Sequence, residues 1–324
     1  MKYLSELIRQ KGPFGESFFL EGGPRFAAGK KRVNILALGD VGGMLLTGLK
    51  LMGEELVESI GIYDLDPQML IRYEYEMNQT NYPFHYDKLP EVVILNEAEL
   101  FDCDVFLFCA SKATPLVGSD VQDVRMVQYE ANKPIVEHYA RLAGERGFEG
   151  LFGVVSDPVD PLCNAALGAS SLKSFQIQGF GLGVMNSRAA YYAKKNPQYE
   201  EFLTEGRSFG PHGEGLVIAN SITQYQDQLS IQLTKLTVEA NLRTREAGFK
   251  PFIAPALSSG ALSVLLTLSG EWHYSSNYLS HEGKGAFLGS KNRMWNDRTE
   301  IENPLLPDIL FDRIKKSYDN LINL

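Results

Sequence analysis

Short apolar runs alternate with helix-like segments through the first half of this chain of 324 residues. The runs lie at 33–38, 59–63, 92–95, 105–109 and 151–155, and the helix-like segments lie at 41–52, 67–78 and 121–146. Runs that are apolar throughout are typical of strands in a parallel sheet that helices cover on both faces. The pattern predicts a doubly wound α/β domain. We expect Pro134 to kink the last helix or to begin a second one.

Beyond residue 157 the pattern changes. A short run at 174–178 precedes helix-like stretches at 221–247 and 251–268, antiparallel-looking segments near 272–303 and a final helix at 307–322. This mixture predicts an α+β domain, with no internal repeat on either side of the boundary. The predicted organisation is therefore an N-terminal arm (1–32), an α/β domain (33–157) and an α+β domain (158–324).

The N-terminal arm holds one short amphipathic helix candidate, at 3–10, followed by a stretch rich in glycine and proline. Such a segment is too small to fold alone. Its apolar side chains, Phe14, Phe18, Phe19 and Leu20, would be poorly placed in water. We expect the arm to pack on its own body or on a neighbouring subunit.

Composition excludes several function classes. The formal charge of −9 and the lack of a basic run longer than 30–32 argue against a nucleic-acid partner. Cys103, Cys109 and Cys163 form no CxxC pair, so neither structural zinc nor a disulfide framework is expected, and Cys109 reads as a small hydrophobic residue of a strand. No signal peptide or membrane-spanning stretch is predicted, which makes a cytoplasmic location the default expectation.

A glycine turn follows the first apolar run. Residues 33–42 read V-N-I-L-A-L-G-D-V-G, which is a strand that enters a turn and opens a helix. In dinucleotide-binding folds such glycines allow the tight turn and the approach of the pyrophosphate to a helix N-terminus. Two of the three usual glycines, Gly39 and Gly42, are present, while Ala37 occupies the first position. Alanine is acceptable there provided that its φ is negative. A glycine turn that serves packing alone is the alternative.

Asp64 strengthens the nucleotide interpretation. It ends the second apolar run and lies 22 positions after Gly42. An acidic residue about 20 positions after the glycine turn hydrogen-bonds the adenosine ribose in dinucleotide folds. Its carboxylate would repel a 2′-phosphate, so NAD is favoured over NADP. The alternative is a strand-end carboxylate that only begins the turn at 64–67. The expected cofactor contacts are Ala37, Gly39, Val41, Gly42, Asp64 and Ala110.

A histidine stands between two glycines in the stretch 210–214, which reads G-P-H-G-E. Glycine neighbours leave the histidine side chain room to reach a ligand. A surface-loop histidine is the alternative. Three other segments precede His212 in order: a loop at 110–123, V-S-D-P-V-D at 155–160 and G-V-M-N-S-R at 183–188.

In this order and spacing the chain, from residue 33 to its end, resembles the lactate/malate dehydrogenase family. The resemblance implies a Rossmann-type NAD domain followed by an α+β substrate domain. It implies an oxidoreductase that interconverts a 2-hydroxy acid and a 2-oxo acid, with His212 as the proton donor and acceptor. It also implies a small-molecule substrate and a homodimer or homotetramer, while hydride chemistry requires no metal.

The chain departs from the family's pattern around this histidine. The aspartate that orients the histidine is replaced by Asn186, and the asparagine of the family's NP motif is replaced by Asp157. An amide can hold the imidazole tautomer but cannot stabilise the imidazolium by charge, and a comparable change in a protease triad costs about 10⁴-fold in turnover. Our hypothesis is that Asp157, at the C-terminal end of a parallel strand, supplies the missing carboxylate to His212.

The two arginines that the family uses on the substrate are also displaced. The lid-base arginine corresponds to Asp123, with Arg125 two residues on. The arginine that grips the substrate carboxylate corresponds to Ala189, beside Arg188. One residue on a helix is a rotation of about 100°, so Arg188 would face elsewhere unless the helix shifts register. Arg188 and Arg125 are the expected substitutes.

Other candidate substrate contacts are Lys112 and Arg207, which are alternative anion ligands, and Ser259, which is either a substrate contact or the N-cap of a helix at 260–268. The segment 112–123 is suited to a lid and is longer than the family's usual loop. Two further interpretations follow from the missing charges. One is a catalytically weakened NAD-binding sensor, and the other is a dehydrogenase for a larger or uncharged hydroxy compound.

Overall fold

A computed structural model describes residues 1–9, 14–112 and 124–324, without the side chains of residues 124 and 125. The strands are β1 (Lys2–Tyr3), β2 (Ser17–Phe19), β3 (Lys31–Leu36), β4 (Val57–Tyr63), β5 (Glu91–Ile94), β6 (Val105–Phe108), β7 (Leu151–Val154), β8 (Ile177–Gly179), β9 (Arg207–Phe209), β10 (Val217–Ala219), β11 (His273–His281), β12 (Lys284–Trp295), β13 (Arg298–Glu302) and β14 (Leu305–Leu306). The helices are α1 (Asp40–Met52), α2 (Pro67–Asn78), α3 (Val124–Glu145), α4 (Val159–Ala169), α5 (Leu182–Lys195), α6 (Phe202–Glu205), α7 (Asp227–Glu246), α8 (Ser263–Ser269) and α9 (Asp308–Ile322).

One ten-stranded sheet runs through the molecule in the order β2-β13-β12-β11-β8-β7-β6-β3-β4-β5. The six strands from β5 to β8 are parallel, and their order is that of the doubly wound dinucleotide fold. The remaining four strands continue the sheet in antiparallel pairs, beginning with β11 against β8. The predicted α/β class and the predicted antiparallel segments are thus confirmed. The domain boundary at residue 157 stays a prediction, because β8 lies beyond it in the same sheet.

The parallel strands form as predicted because their side chains are apolar on both faces. Val33, Ile35, Phe106 and Phe108 are buried completely. One cluster of buried side chains lies on the α3–α4 face of these strands and another on the face covered by α1. The helix α3 continues through Pro134, so the alternative that this proline begins a second helix is wrong.

The N-terminal arm packs on its own body. Strand β1 pairs with β14, and β2 forms the edge of the large sheet beside β13. Leu4, Leu7 and Phe18 are buried against the C-terminal helix α9 in a third apolar cluster. The predicted helix at 3–10 is a short 3-10 helix, Leu4–Ile8, and Gln10 lies outside the described residues. Among the helices that the structure describes, none has the length and apolar character needed to cross a bilayer.

Candidate functional site

The carboxyl ends of the parallel strands gather most of the predicted site. The glycine turn follows β3, Asp64 follows β4, Ala110 follows β6 and Asp157 follows β7. Ligands of open α/β sheets bind outside this edge, where the strand order reverses. Strand β6 lies between β3 and β7, which places the ends of β3 and β7 about 10 Å apart.

The glycine turn has open space beside one of its two glycines. A methyl group on Gly42 would collide with the carbonyl oxygen of Ala37, whereas one on Gly39 would meet nothing within 4 Å. The protein's own packing therefore requires Gly42 but leaves the space beside Gly39 open to a ligand. Gly39 is the N-cap of α1, and no side chain of the described residues caps this helix. Its first N–H groups and its dipole are suited to an anion.

Ala37 corrects one expectation. Its φ is 73°, in the left-handed region, and not negative as an alanine there would prefer. The Ala37 N–H donates to the Tyr63 carbonyl oxygen at 2.8 Å, which ties the turn to β4. The fold needs the left-handed conformation that glycine provides in related turns, and in this chain alanine adopts it at a cost of about 1–2 kcal/mol.

Asp64 shapes the turn from the neighbouring strand. Its carboxylate accepts hydrogen bonds from the N–H of Leu38 at 2.7 Å and from the N–H of Asp66 at 2.9 Å. An ionised carboxylate has about four acceptor positions, so these two bonds leave capacity for a ribose hydroxyl. Of the two other predicted cofactor contacts, Val41 packs against the apolar cluster beneath α1, and the Ala110 carbonyl oxygen accepts a hydrogen bond from Ser156 Oγ at 2.8 Å.

His212 and Asp157 meet across 55 positions of sequence, with Nδ1 of the imidazole 3.0 Å from Oδ1 of the carboxylate. The histidine side chain is 12% exposed and the aspartate side chain 50% exposed. The pair is therefore open to a ligand on the aspartate side. This contact assigns the ring proton on Nδ1 to the bond with Asp157, which leaves Nε2 as the nitrogen for proton exchange. The structure brings together the two residues that our hypothesis pairs.

A second carboxylate, which the sequence analysis missed, holds the backbone of the same histidine. Asp160 is buried, and its Oδ2 accepts the His212 backbone N–H at 3.1 Å while its Oδ1 accepts the Ser276 hydroxyl. Burial raises the pKa of the Asp160 carboxyl, and these hydrogen bonds oppose the shift. The D-P-V-D spacing was the available signal, but an acid in the first turn of a helix is ordinarily explained by the helix dipole.

Asn132 of α3 is a further polar anchor that the sequence did not reveal. Its side chain is fully buried. Its Nδ2 donates to the Asp157 carbonyl oxygen at 2.8 Å, and its Oδ1 accepts the Lys112 backbone N–H at 2.9 Å. Asn132 therefore fixes the backbone of the catalytic candidate and the start of the predicted lid together. Gly181 is similarly constrained, because a methyl group there would lie 2.9 Å from His212 Cβ.

Arg188, and not Ala189, is the residue of helix α5 that faces the site. Ala189, which corresponds in the resemblance to the family's carboxylate-binding arginine, is fully buried in an apolar cluster. Arg188 is partly buried; desolvation lowers the pKa of its guanidinium, and attraction to Asp157 opposes the shift. Asp157 is thus close enough to act electrically on both His212 and Arg188. Asn186 donates instead to Ser208 Oγ at 3.2 Å.

The other predicted substrate ligands are distributed differently. Arg207 forms a two-point ion pair with Glu302, at 2.6 and 2.9 Å, so its charge is compensated within the protein. Lys112 is exposed at the end of a described segment. The predicted lid from 113 onward, with Asp123, lies outside the described residues, as does the side chain of Arg125.

Ser259 connects two helical segments. It lies inside a π-helical segment, Pro255–Leu262, that continues into α8, so the alternative that it caps a new helix is wrong. Its Oγ donates to the Gly181 carbonyl oxygen at 2.7 Å and accepts the Val184 N–H at 2.8 Å. The hydroxyl fixes the start of α5 close to His212.

Sequence comparison finds L-lactate dehydrogenases at low identity. No protein-family model matches the chain. The L-lactate dehydrogenase of Mesomycoplasma hyopneumoniae (strain 232) is 22% identical over 208 residues, which is 64% of this chain and 62% of that protein. The L-lactate dehydrogenase of Treponema denticola is 26% identical over 198 residues, or 60% of this chain and 58% of that protein. The chain thus matches about three fifths of the length of these curated relatives.

Solved structures share the fold over nearly the whole chain. A lactate dehydrogenase from a Medee basin deep-sea metagenome library has a TM-score of 0.73 at 14% identity and covers 91% of this chain and 98% of its own. Malate dehydrogenase from Plasmodium falciparum has a TM-score of 0.71 at 15% identity, covering 90% and 96%. The minor L-lactate dehydrogenase of Enterococcus mundtii has a TM-score of 0.72 at 18% identity, covering 90% and 96%.

Proposed function

We propose that this chain, a divergent relative of the lactate and malate dehydrogenases, is an NAD-dependent oxidoreductase that interconverts a 2-hydroxy acid and a 2-oxo acid. The observation that carries the proposal is the contact of His212 Nδ1 with Asp157 Oδ1 at 3.0 Å, at the edge of the sheet that also bears the glycine turn. The Asp157 carboxylate gives the imidazole a charged partner, which the amide of Asn186 cannot provide.

The cofactor fits the residues at the strand ends. The open space beside Gly39 and the uncapped start of α1 accommodate the pyrophosphate, and the remaining acceptor positions of Asp64 suit a ribose with a free 2′-hydroxyl. When bound, NADH supplies the hydride that reduces the carbonyl carbon, or NAD⁺ accepts it in the reverse direction. Asp40, in the first turn of α1, would repel phosphate, but its Oδ2 lies 2.9 Å from Lys250 Nζ, which compensates its charge.

His212 manages the proton. In the reductive direction the imidazolium polarises the substrate carbonyl and gives the Nε2 proton to its oxygen, and in the oxidative direction neutral Nε2 takes the hydroxyl proton. The Asp157 carboxylate holds Nδ1–H and stabilises the charged ring. Asp160 and Ser276 hold the backbone on which the ring is mounted. The reaction is balanced, because one hydride and one proton convert the ketone to the alcohol.

Arg188 is the group that we assign to the substrate carboxylate. A guanidinium presents a planar pair of donors that matches a carboxylate. The Arg188 Nη1 has the thioether sulfur of Met185 as a hydrogen-bond acceptor at 3.6 Å, which is a weak partner for a cation. A substrate carboxylate would replace this weak contact with a charged one.

The test has two measurements. One is a fluorescence titration with NADH, and the other is NADH oxidation over a panel of 2-oxo acids and ketones. His212→Ala should lower turnover by about 10²–10⁴-fold and leave NADH affinity unchanged. His85→Ala, at an exposed histidine, is the matched control and should keep full activity. NADH binding without turnover above that of His212→Ala would contradict the proposal and indicate a sensor. Turnover of ketones alone would indicate a hydroxy substrate without a carboxylate.

A further inference from the structure

A cavity of about 510 Å³ lies between α5, α7 and the segment that leads to the π-helical turn. Its walls include Val184 and Arg188 from α5 and Ala240 and Arg243 from α7. The volume falls in the range of about 300–1,000 Å³ that is usual for small-molecule sites. It exceeds what a three-carbon or four-carbon acid would need.

The charged side chains among the described residues that line the cavity are all basic. Arg188, Arg243 and Lys250 line it, and no Asp or Glu is present among the described lining residues. Lys250 pairs with Asp40 of α1, so part of its charge is compensated. Tyr192 provides an aromatic wall, with the Arg243 guanidinium 6.0 Å from its ring centroid. This combination of cations and apolar wall is suited to an anion with a carbon body.

The cavity adjoins the proposed catalytic centre. Gly181, the N-cap of α5, contacts His212, and Val184 lies one turn further along the same helix. Arg188 follows after another turn, where it lines the cavity and interacts electrostatically with Asp157. Arg188 thus belongs to the wall of the cavity and also interacts with the aspartate that contacts His212.

We infer that this cavity binds the distal anionic group of a substrate that is a dianionic 2-oxo acid. The inference rests on the proposed function, because Arg188 takes the carboxylate next to the carbonyl. Arg243 then takes the second anionic group, assisted by Lys250. The side chains Ala240 and Val184 contact the carbon chain between the two charges.

Two matched pairs of probes test this inference. 2-Oxoglutarate and 2-oxopentanoate have five carbons each, and 2-oxoadipate and 2-oxohexanoate have six; within each pair a terminal carboxylate replaces a methyl group. The wild-type protein should prefer the dianion of at least one pair by about tenfold or more in kcat/KM, because only the dianion's terminal carboxylate can accept a charge-assisted hydrogen bond from the cavity. Equal kcat/KM for both members of both pairs would overturn the inference.

The variants locate the effect. Arg243→Met should abolish most of that preference by raising KM for the dianion, and Lys250→Met should reduce it less because Asp40 already pairs with this lysine. Arg245→Met, in the same helix but outside the cavity, is the control and should keep the preference. A preference that survives Arg243→Met as it survives Arg245→Met would also overturn the inference.

Calorimetric titration of the four probes into the protein with NADH separates this inference from the proposed function. Binding of a dianion that depends on Arg243, without turnover of any probe, would support the anion site and contradict the reaction. Turnover of both members of each pair without dependence on Arg243 would support the reaction and contradict the anion site. Neither binding nor turnover of any probe would contradict both.

Discussion

The parallel and antiparallel parts of the sheet are built from different chemistry. In the parallel part the strands bury apolar side chains such as Ile35, Phe106 and Phe152. In the antiparallel part, buried polar side chains bond to one another where the two parts join. Ser275 Oγ accepts from Gln178 Nε2 at 2.6 Å and donates to Asn292 Oδ1 at 3.0 Å, and His273 lies beside them.

The two parts of the sheet therefore differ in how freely their side chains can be replaced. Apolar burial is non-directional, so the parallel strands tolerate many sequences while the glycine turn at their edge stays recognisable. Buried polar groups need specific partners. The proposed substrate site, where His212 meets Asp157 and Asp160, therefore depends on individual residues that no short motif records.

Replacing the Asp157 carboxylate should have the largest effect on activity. Asp157→Asn is expected to lower kcat by about 10²–10⁴-fold, because an amide cannot stabilise the imidazolium by charge. NADH affinity should stay within about twofold, since the glycine turn is not involved. The measurement is steady-state kinetics over pH, beside fluorescence titration with NADH.

Asn186→Asp provides the matched comparison. Added to Asp157→Asn, it restores an aspartate at the family's usual position but should not restore turnover, because Asn186 contacts Ser208. Unchanged turnover and pH profile in Asp157→Asn would remove Asp157 from the mechanism.

The polar part of the sheet should also make stability depend on pH. Burial lowers the pKa of His273 from 6.5 to about 4. A base whose pKa is depressed in the folded state contributes stability that is complete above pH 6.5 and is lost as the pH falls toward 4. His273 should account for about 2–3 kcal/mol of the loss between pH 7 and pH 4.5.

Denaturant unfolding of the wild type and His273→Asn at these two pH values measures this contribution. The variant is less stable at pH 7 but should have a shallower pH dependence. His138→Asn, at a half-exposed histidine, is the control for titration outside the core. A variant that keeps the wild-type pH dependence would show that another group is responsible.

In the proposed nucleotide site, two glycines should respond differently to substitution by alanine. Gly39→Ala is expected to weaken NADH binding about tenfold, because the methyl group occupies the space through which the pyrophosphate approaches, with at most about 1 kcal/mol lost in unfolding free energy. Gly42→Ala should instead destabilise the fold, since its methyl group meets the Ala37 carbonyl. Gly168→Ala, in open space on α4, is the control. Equal NADH affinity for Gly39→Ala and Gly168→Ala would argue against a pyrophosphate at this turn.

The smallest effect concerns Ala37, with its φ of 73°. Ala37→Gly should raise the free energy of unfolding by about 0.5–1 kcal/mol, because relief of the left-handed strain exceeds the entropy that glycine adds to the unfolded chain. Ala98→Gly, at an exposed residue without positive φ, should lower stability instead. Thermal and denaturant unfolding would measure both changes, and destabilisation by Ala37→Gly would contradict the strain argument.

The parallel sheet, the glycine turn and the spacing to Asp64 could be predicted from the sequence, since these depend on side-chain periodicity and local steric limits. The order of several motifs also predicts His212 as the proton donor and acceptor. The sequence could not show that Ala37 has a positive φ, because the turn's attachment to Tyr63 of the next strand imposes that conformation.

The groups that surround His212 could not be established from the sequence alone, because they come together through long-range packing. Asp157 and Asp160 reach it from 55 and 52 positions away, and Arg188, not Ala189, faces the site because α5 buries the latter in its apolar cluster. Helix rotation and long-range contact follow from how whole elements pack, and one residue of offset on a helix turns a side chain by about 100°. Local sequence patterns therefore predict the parallel sheet and its glycine turn, while packing between distant segments determines which charged side chains lie near His212.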